Sequence, residues 1–349
     1  MDGLVLLASL IVILIGAELF TNGVEWLGKH FDLAEGAVGS VLAAVGTALP
    51  ETMIPLIAIV FAGGAAGAEI GVGAILGAPF MLATLAMFVT GLAVVAFRHR
   101  RPTGTRLRVD LRLLSRDAGA FMATYAIAVG AAFLPTALRP LTPVVAIGLV
   151  LLYVRYVRSH LHDERDGALQ DPEPLRLRRL SSTARRDPDW PPHVAVVVVQ
   201  VVVALVGIIL GAAFFVGAVD RVAGALGIDS LLLALVIAPI ATELPEKFNS
   251  VIWVRQGKDN LALGNITGAM VFQSAIPPSI ALVFAPQAWV IGEGTLLPFL
   301  SAAIAAASLA VIVLPAMRRG RLAATGLLVG GVFYVVYLGV VLAAIADAA

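Results

Sequence analysis

Ten apolar runs, each about the length needed to cross a bilayer, restrict this chain to a membrane fold. A transmembrane helix needs roughly 20 residues, and such runs lie at 3–27, 37–62, 68–97, 117–136, 141–157, 194–219, 230–254, 260–285, 293–316 and 323–346. Of the 349 residues, 60% are hydrophobic and only 13% are charged. The sequence therefore predicts an all-α polytopic membrane protein with ten transmembrane helices. No basic residue precedes the first run, so we expect a retained span and not a signal peptide.

Basic residues are concentrated in every second connection between these runs. Of the 24 Lys and Arg residues, 21 follow the first, third, fifth, seventh or ninth run. Ten crossings place these five connections on one side, which the positive-inside rule makes cytoplasmic. We therefore expect an integral protein of a bacterial inner (plasma) membrane, with both termini on the extracytoplasmic side.

One connection divides the chain into two halves of five runs each, 1–157 and 194–349. Residues 158–193 are rich in Pro, Asp, Arg and Ser, which predicts a polar, partly disordered cytoplasmic linker. A tether between the halves is the favoured interpretation, and a regulatory role is the alternative. The chain has no cysteine, which excludes disulfides, thiolate metal sites and cysteine nucleophiles.

The two halves resemble each other. At an offset of 195 residues, TALPE at 47–51 lies over TELPE at 242–246, and Gly16 lies over Gly211. At an offset of 191, GAILGA at 73–78 lies over GNITGA at 264–269. Since five spans are an odd number, the second half enters the membrane from the opposite side. This predicts two inverted five-helix repeats with a binding site near the midplane, as in many secondary transporters.

The shared Thr-x-Leu-Pro-Glu motif gathers oxygen atoms inside the membrane. Each proline lacks an N–H, which leaves the carbonyl four residues earlier without its helical partner, and that carbonyl must be satisfied by a neighbour, water or a cation. A threonine hydroxyl and a carboxylate lie within one turn. Such oxygens are the ligands of hard cations. The candidate metal-ligating residues are Gly46, Thr47, Glu51, Ala241, Thr242, Glu243, Glu246 and Asn265.

Three polar side chains admit two interpretations each. Glu243 either shares a cation or proton with the site, or is neutralised by Lys247 four residues later, the spacing of a helical ion pair. The carboxamide of Asn265 is either a ligand or an interhelical hydrogen-bonding group. Glu18 either lines an access path or is hydrated near the cytoplasm, and we favour hydration.

At these motifs the chain resembles the calcium/cation antiporter superfamily, which contains the sodium/calcium exchangers and their cation/proton relatives. The counterparts of its motifs are GTALPE at 46–51, IATELPE at 240–246, GAILGA at 73–78 and GNITGA at 264–269. The resemblance covers both halves and implies ten spans in two inverted repeats. It also implies that the motif glutamates, the threonines and the residue preceding each threonine coordinate the transported cations.

The chain departs from this pattern at positions where the family carries oxygen-bearing side chains. Ala48, Ala74, Ala78 and Ala269 lack such a group, and Glu243 replaces a serine. These departures favour coupling to H⁺ over a full set of Na⁺ sites, because a carboxylate can bind a proton without a ligand cage.

The function that these features favour is a secondary antiporter that exchanges a cation, in first place Ca²⁺, for Na⁺ or H⁺ by alternating access. The alternative is a transport-impaired relative that acts as a cation-binding sensor or scaffold. We expect no enzyme activity and no cofactor, and we expect inorganic cations and the lipid bilayer as partners. No nucleic-acid binding is expected, and the sequence does not define the oligomeric state.

Overall fold

Helices account for nearly all of the described chain. The computed structural model describes residues 2–33, 37–57, 59, 64–161, 172–177, 192–225, 243–292 and 295–348. Its α-helices are α1 (Asp2–His30), α2 (Ala44–Ile57), α3 (Gly64–Met81), α4 (Met87–Ala96), α5 (Leu111–Gly130), α6 (Thr142–Leu161), α7 (Val194–Ala225), α8 (Leu244–Gln256), α9 (Asp259–Phe284), α10 (Leu296–Arg319) and α11 (Ala324–Ala348). A π-helical turn, Val38–Ala43, leads into α2, and another, Leu82–Ala86, joins α3 to α4.

The remaining elements are short. Three 3₁₀ turns cover Arg98–Arg100, Ala131–Phe133 and Thr136–Leu141. Two strands of two residues, β1 (Arg106–Leu107) and β2 (Leu322–Ala323), pair antiparallel. The predicted all-α membrane class is therefore confirmed.

Within the described residues, seven helices are long and apolar enough to cross a membrane. They are Asp2–His30, Gly71–Ala96, Thr136–Leu161, Val194–Gly211, Asp259–Phe284, Leu296–Arg319 and Ala324–Ala344. The helices α2, α5 and α8 coincide with other predicted spans but do not meet this criterion. Residues 230–242 of the predicted seventh span lie outside the described part of the chain. The number ten therefore remains a prediction.

The helix that contains most of the predicted fourth span begins six residues before it. The span was expected at 117–136, whereas α5 begins at Leu111 and ends at Gly130. Asp110 sets this start, because its side chain accepts a hydrogen bond from the Arg112 N–H at 2.7 Å and caps the helix. Hydropathy identifies the apolar part of a helix, but the cap determines where the helix begins.

Helices α1 and α7 form a close, reciprocal pair. A Cβ atom on Gly16 would lie 2.8 Å from Cγ1 of Ile208, and one on Gly211 would lie 2.9 Å from Cγ1 of Ile13. The offset of 195 residues that relates Gly16 to Gly211 also relates Ile13 to Ile208. Each contact is thus the counterpart of the other, as in an interface with a two-fold axis.

Helix α9 is the central element of the interior. Of the 18 consecutive residues that form its most apolar stretch, 83% are buried. In the corresponding stretch of the segment that contains α6, only 17% of the residues are buried. It packs against α2, α5, α6 and the π-helical turn before α2. At Gly268 the backbones nearly touch, because a Cβ there would lie 2.1 Å from the carbonyl oxygen of Ser40. Small residues allow such close helix packing in membranes.

Several of the basic connections meet at one end of the molecule. Strand β1 follows the predicted third span and pairs with β2, which follows the ninth. The buried Arg101 guanidinium donates to both carboxylate oxygens of Asp259, at 2.8 and 2.6 Å. The buried Lys258 ammonium pairs with the carboxylate of Glu25 near the end of α1. These contacts place the connections after the first, third, seventh and ninth runs together.

The other end of the molecule carries Arg139 and Arg221, two of the three basic residues outside this pattern; the third, Lys247, lies inside the predicted seventh run. Arg139 donates to the carbonyl oxygen of Pro286 at 2.8 Å, and Arg221 donates to the carboxylate of Asp2 at 2.8 Å. The basic connections therefore lie at one end of the structure, and Arg139 and Arg221 lie at the other end.

Substituting Gly268 by Ala should destabilise the protein. The added methyl group would lie 2.1 Å from the Ser40 carbonyl oxygen and 2.6 Å from its Cα, so two backbones must separate. Overpacking of this kind costs about 1–3 kcal/mol or more. Thermal unfolding of the purified variant in detergent measures the loss.

Gly77→Ala is the matched control. Gly77 is the repeat counterpart of Gly268, and a Cβ added to it would have no atom within 4 Å, so this variant should be as stable as the wild type. Equal melting temperatures for the two variants would contradict the close contact at Ser40.

Candidate functional site

Glu246 carries a fully buried carboxylate. It lies in the first turn of α8, which begins at Leu244 with proline in its first positions. Among the residues that the structure describes, neither Oε1 nor Oε2 has a hydrogen-bond partner. An uncompensated buried charge costs several kcal/mol. A carboxylate kept in this state requires a bound cation or a proton.

Two residues of the sequence motifs lie beside Glu246. Asn265 of α9 donates from Nδ2 to the main-chain oxygen of Glu246 at 3.3 Å. The hydroxyl of Thr47 in α2 lies 3.3 Å from Oδ1 of Asn265 and 3.1 Å from the Ala43 carbonyl oxygen. All three side chains are fully buried. The structure thus joins the first motif to the second through Asn265, which makes the interhelical hydrogen bonds that were one of its two interpretations.

Two further buried amides were not among the predicted site residues. Asn249 lies one turn after Glu246, and Gln273 lies on α9 eight residues after Asn265. Within the described part of the chain, neither the oxygen nor the nitrogen of either amide has a hydrogen-bond partner. Buried polar atoms are almost always hydrogen-bonded, so the amide of Asn249, beside Glu246, is a further candidate ligand. Gln273 could have been noticed as an isolated amide in the apolar run at 260–285.

Glu243 forms an ion pair with Lys247. Nζ of Lys247 lies 3.2 Å from Oε2 of Glu243 and 3.3 Å from its main-chain oxygen, and both side chains are buried. The ion-pair interpretation of these two residues is therefore the arrangement that the structure has. The Oε1 atom of Glu243 has no hydrogen-bond partner, so the carboxylate is only partly satisfied.

The remaining candidate residues are described incompletely. Ala241 and Thr242 lie outside the described residues, and so does the side chain of Glu51, whose backbone is part of α2. Gly46 faces Phe20 of α1, since a Cβ on Gly46 would lie 2.6 Å from Cζ of that ring. Among the residues that the structure describes, no three His, Asp or Glu side chains form a metal-binding group. The assembled ligands are therefore mainly amide, hydroxyl and single carboxylate groups.

A second buried carboxylate, Asp117 of α5, is fully hydrogen-bonded. Its Oδ2 accepts from the hydroxyls of Ser40 at 3.0 Å and Thr267 at 2.6 Å. Its Oδ1 accepts from the Tyr156 hydroxyl at 3.0 Å and lies 2.9 Å from Nε2 of His160. The predicted linker begins at 158 and so includes His160, whereas α6 continues to Leu161. His160 lies in the last turn of α6, and its side chain is only 1% exposed.

The His160 ring connects two polar groups. Nδ1 lies 3.1 Å from the Tyr156 carbonyl oxygen, and Nε2 lies 2.9 Å from Oδ1 of Asp117. The cluster ties α5, α6, α9 and the π-helical turn together without leaving an acceptor open to a cation.

The linker contains a segment, residues 172–177, that is bound to α1 and α7. We call it the strap. The buried Asn22 donates to the Glu173 carbonyl at 3.0 Å and accepts from the Arg176 N–H at 3.0 Å. The buried Gln200 accepts from the Leu177 N–H at 2.7 Å. The strap is therefore an ordered part of the linker, which was predicted to be partly disordered; the other residues of 162–191 lie outside the described part of the chain.

The strap contacts Glu18, for which the sequence allowed either an access path or hydration near the cytoplasm. Its carboxylate is 41% exposed and pairs with Nη2 of Arg176 at 2.7 Å. This hydrogen bond raises the pKa of the Arg176 guanidinium above its usual value. Glu18 is thus hydrated and bound to the linker, which agrees with the favoured interpretation.

Replacing Asp117 by Ala should destabilise the protein by roughly 3–5 kcal/mol, the usual loss when one partner of a buried ionic network is removed. Four donor groups on three other elements would lose their acceptor. Thermal unfolding in detergent is the measurement, and Asp117→Asn, which keeps one acceptor oxygen, should be intermediate.

Asp110→Asn is the control, because Asn caps helices as well as Asp does. A melting temperature for Asp117→Ala equal to that of this control would refute the structural importance of the cluster.

Comparison with known proteins identifies the family. The family model described as "Sodium/calcium exchanger protein" matches residues 2–159 and 196–346. "Putative antiporter CaxA" of Alkalimonas amylolytica is 25% identical over 289 residues, which cover 80% of each chain. An "Uncharacterized membrane protein" of Methanocaldococcus jannaschii is 22% identical over 76% of each chain.

Solved structures show the same fold. The sodium-calcium exchanger NCX_Mj soaked with Na⁺ and Ca²⁺ superposes with a TM-score of 0.69 at 18% identity, over 97% of each chain. The same exchanger soaked with Na⁺ and Sr²⁺ gives 0.71, over 97% of this chain and 99% of that one. The chain belongs to the sodium/calcium exchanger family: it is a membrane antiporter and not an enzyme.

Proposed function

We propose that this protein exchanges Ca²⁺ for H⁺ or Na⁺ across the membrane by alternating access. The observation that carries the proposal is the fully buried carboxylate of Glu246, whose two oxygens have no hydrogen-bond partner among the described residues. In a protein that moves cations, such a group is the natural place for the cargo. A sensor or scaffold without transport has no observation in its favour.

The proposed ligand set draws on both halves of the chain. Ca²⁺ takes six to eight oxygen ligands. Glu246 offers two, and the hydroxyl of Thr47 and the Oδ1 atom of Asn265 lie on the adjoining helices. We assign one further position to the amide oxygen of Asn249, which lies one turn after Glu246. Gln273 is roughly 12 Å from Asn265 along the axis of α9 and cannot share the same ion. Glu51, Thr242 and the main-chain oxygens of Gly46 and Ala241 complete the set by the symmetry of the motif.

The composition of the site favours H⁺ as the coupling ion. Ala48 and Ala269 are fully buried and bring methyl groups where the family pattern has hydroxyl groups. Na⁺ needs several oxygen ligands at once, whereas a proton needs one carboxylate. In this mechanism Glu246 and Glu51 release Ca²⁺ when they are protonated from the opposite side of the membrane.

The proposed architecture is ten spans in two inverted repeats, residues 1–157 and 194–349, joined by the linker at 158–193. The reciprocal contacts Gly16–Ile208 and Gly211–Ile13 support it, since an internal two-fold axis produces such pairs. Alternating access then consists of movement of the peripheral helices, such as α1 and α7, against a core that contains α2 and α9. The end that carries the basic connections faces the cytoplasm.

Glu246→Gln should abolish cation exchange while leaving the fold intact, because the amide keeps the volume of the side chain but carries no charge. Glu51→Gln should have the same effect. The measurement is Ca²⁺ uptake into proteoliposomes, driven in separate experiments by a pH gradient and by a Na⁺ gradient.

Glu173→Gln serves as the matched control, since it removes the same charge from an exposed position in the strap. It should transport like the wild type. Unchanged uptake by Glu246→Gln would refute the site assignment, and wild-type protein that moves no cation under either gradient would refute the proposed function itself.

Lys247→Gln should increase the affinity for Ca²⁺, at least about tenfold, if Lys247 competes with the cation for Glu243. Two unit charges about 4 Å apart interact by about 4 kcal/mol at an effective dielectric constant of 20, so loss of the ammonium frees a buried carboxylate. Calcium titration of the purified variant by calorimetry measures the change.

The double variant Glu243→Gln/Lys247→Gln removes both charges and should return the affinity close to that of the wild type. Equal affinities for the single and the double variant would mean that Glu243 takes no part in cation binding.

A further inference from the structure

A narrow groove runs between α5 and α6 on the periphery of the protein. Its volume is about 290 Å³, near the lower limit of ligand pockets. The floor is almost wholly apolar and includes Ala120, Ala123 and Leu152. Helix α6 is mostly exposed along its length, with Ile147 and Leu151 at 60% and 62%. In a membrane these surfaces contact lipid, so the groove opens towards acyl chains and not towards water.

Two arginines line the groove at its basic end. Arg116 and Arg155 approach it from α5 and α6, together with Ser159. Arg116 also donates to the Ser159 carbonyl oxygen at 3.3 Å, which holds the two helices together there. Both helices reach this end at the connections where basic residues are concentrated. The arginines therefore lie at the level of the lipid headgroups.

The apolar floor extends from the arginines towards the middle of the membrane. Ala123 is seven residues beyond Arg116 on α5, which corresponds to roughly 10 Å along the helix axis. Leu152 lies one turn deeper than Arg155, because α6 runs in the opposite direction. The groove thus has a cationic end and an apolar end. The cationic end matches the phosphate of a phospholipid, and the apolar end matches its acyl chain.

We propose that this groove is a binding site for an anionic phospholipid of the surrounding membrane. The phosphate lies between the guanidinium groups of Arg116 and Arg155, and one acyl chain lies along Ala120, Ala123 and Leu152. Arginine is suited to phosphate because its planar fork of donors matches the phosphate oxygens, and basic pockets between helices on the cytoplasmic side bind anionic headgroups.

A bound lipid would contact the polar cluster of the interior. Tyr156 lines the groove and donates to Asp117, and Thr124 lines it and lies 2.6 Å from the Ser274 hydroxyl of α9. The lipid would therefore stabilise the position of α5 and α6 against α9. This proposal is independent of the identity of the transported cation.

Native mass spectrometry of the delipidated protein, with phosphatidylglycerol or phosphatidylcholine added, tests the proposal. The wild type should retain phosphatidylglycerol in preference to phosphatidylcholine and should melt at a higher temperature with it. Arg116→Gln/Arg155→Gln should bind phosphatidylglycerol roughly 25-fold more weakly, about fivefold for each charge near the membrane surface.

Two further variants separate this site from general attraction to charge. Arg158→Gln removes one charge from the same end of α6 at a position that does not line the groove, and it should bind like the wild type. Ala123→Phe keeps both arginines but fills the groove, and it should lose the lipid. Equal retention of the two lipids, an equal loss in Arg158→Gln, or normal binding by Ala123→Phe would overturn the proposal.

Discussion

The backbone contact between Gly268 and Ser40 determines where the polar groups of the interior lie. Because a residue of α9 without a side chain meets the π-helical turn before α2, the two elements approach until backbone atoms touch. Ser40 and Thr267 then reach the same carboxylate, that of Asp117. Thr47, two turns after Ser40, comes opposite Asn265. π-helical turns shift the register of the side chains that follow them and often occur at functional sites.

Two buried carboxylates of the interior, Asp117 and Glu246, differ in a way that separates structure from function. Asp117 has an interaction at both oxygens, with groups from several elements, whereas Glu246 has no hydrogen bond at either oxygen within the described part of the chain. Both are inaccessible to bulk water, so the unsatisfied one requires an additional species. The orphaned amides of Asn249 and Gln273 show the same deficit. A polar group that the fold leaves unpaired is a more informative indicator of the site than burial or charge alone.

The sequence predicted the helical class and the order of the helices because apolar length is a local property. It also offered the pairing of Glu243 with Lys247 as one of two interpretations, since the spacing of four residues is that of a helical ion pair. It could not predict that Asn249 and Gln273 lack partners, because that depends on what other helices place opposite them. Asp117 was missed for a related reason: it lies at the edge of an apolar run, and its burial depends on α6, α9 and the π-helical turn that pack around it. The composition of residues 158–193 predicted a partly disordered linker. Composition could not show that residues 172–177 bind to α1 and α7, because that binding depends on the surfaces of those helices.

The manner in which the strap is held has a consequence for how the linker can diverge. Asn22 and Gln200 contact main-chain atoms of the strap, much as a neighbouring strand would. Such contacts do not depend on side-chain identity. Leu175 is the one strap residue whose side chain is buried, at 3% exposure. Recognition of this segment therefore combines a main-chain interaction that accepts almost any sequence with one apolar anchor that sets its register. The residues around that anchor are free to change in related proteins without loss of the docked position.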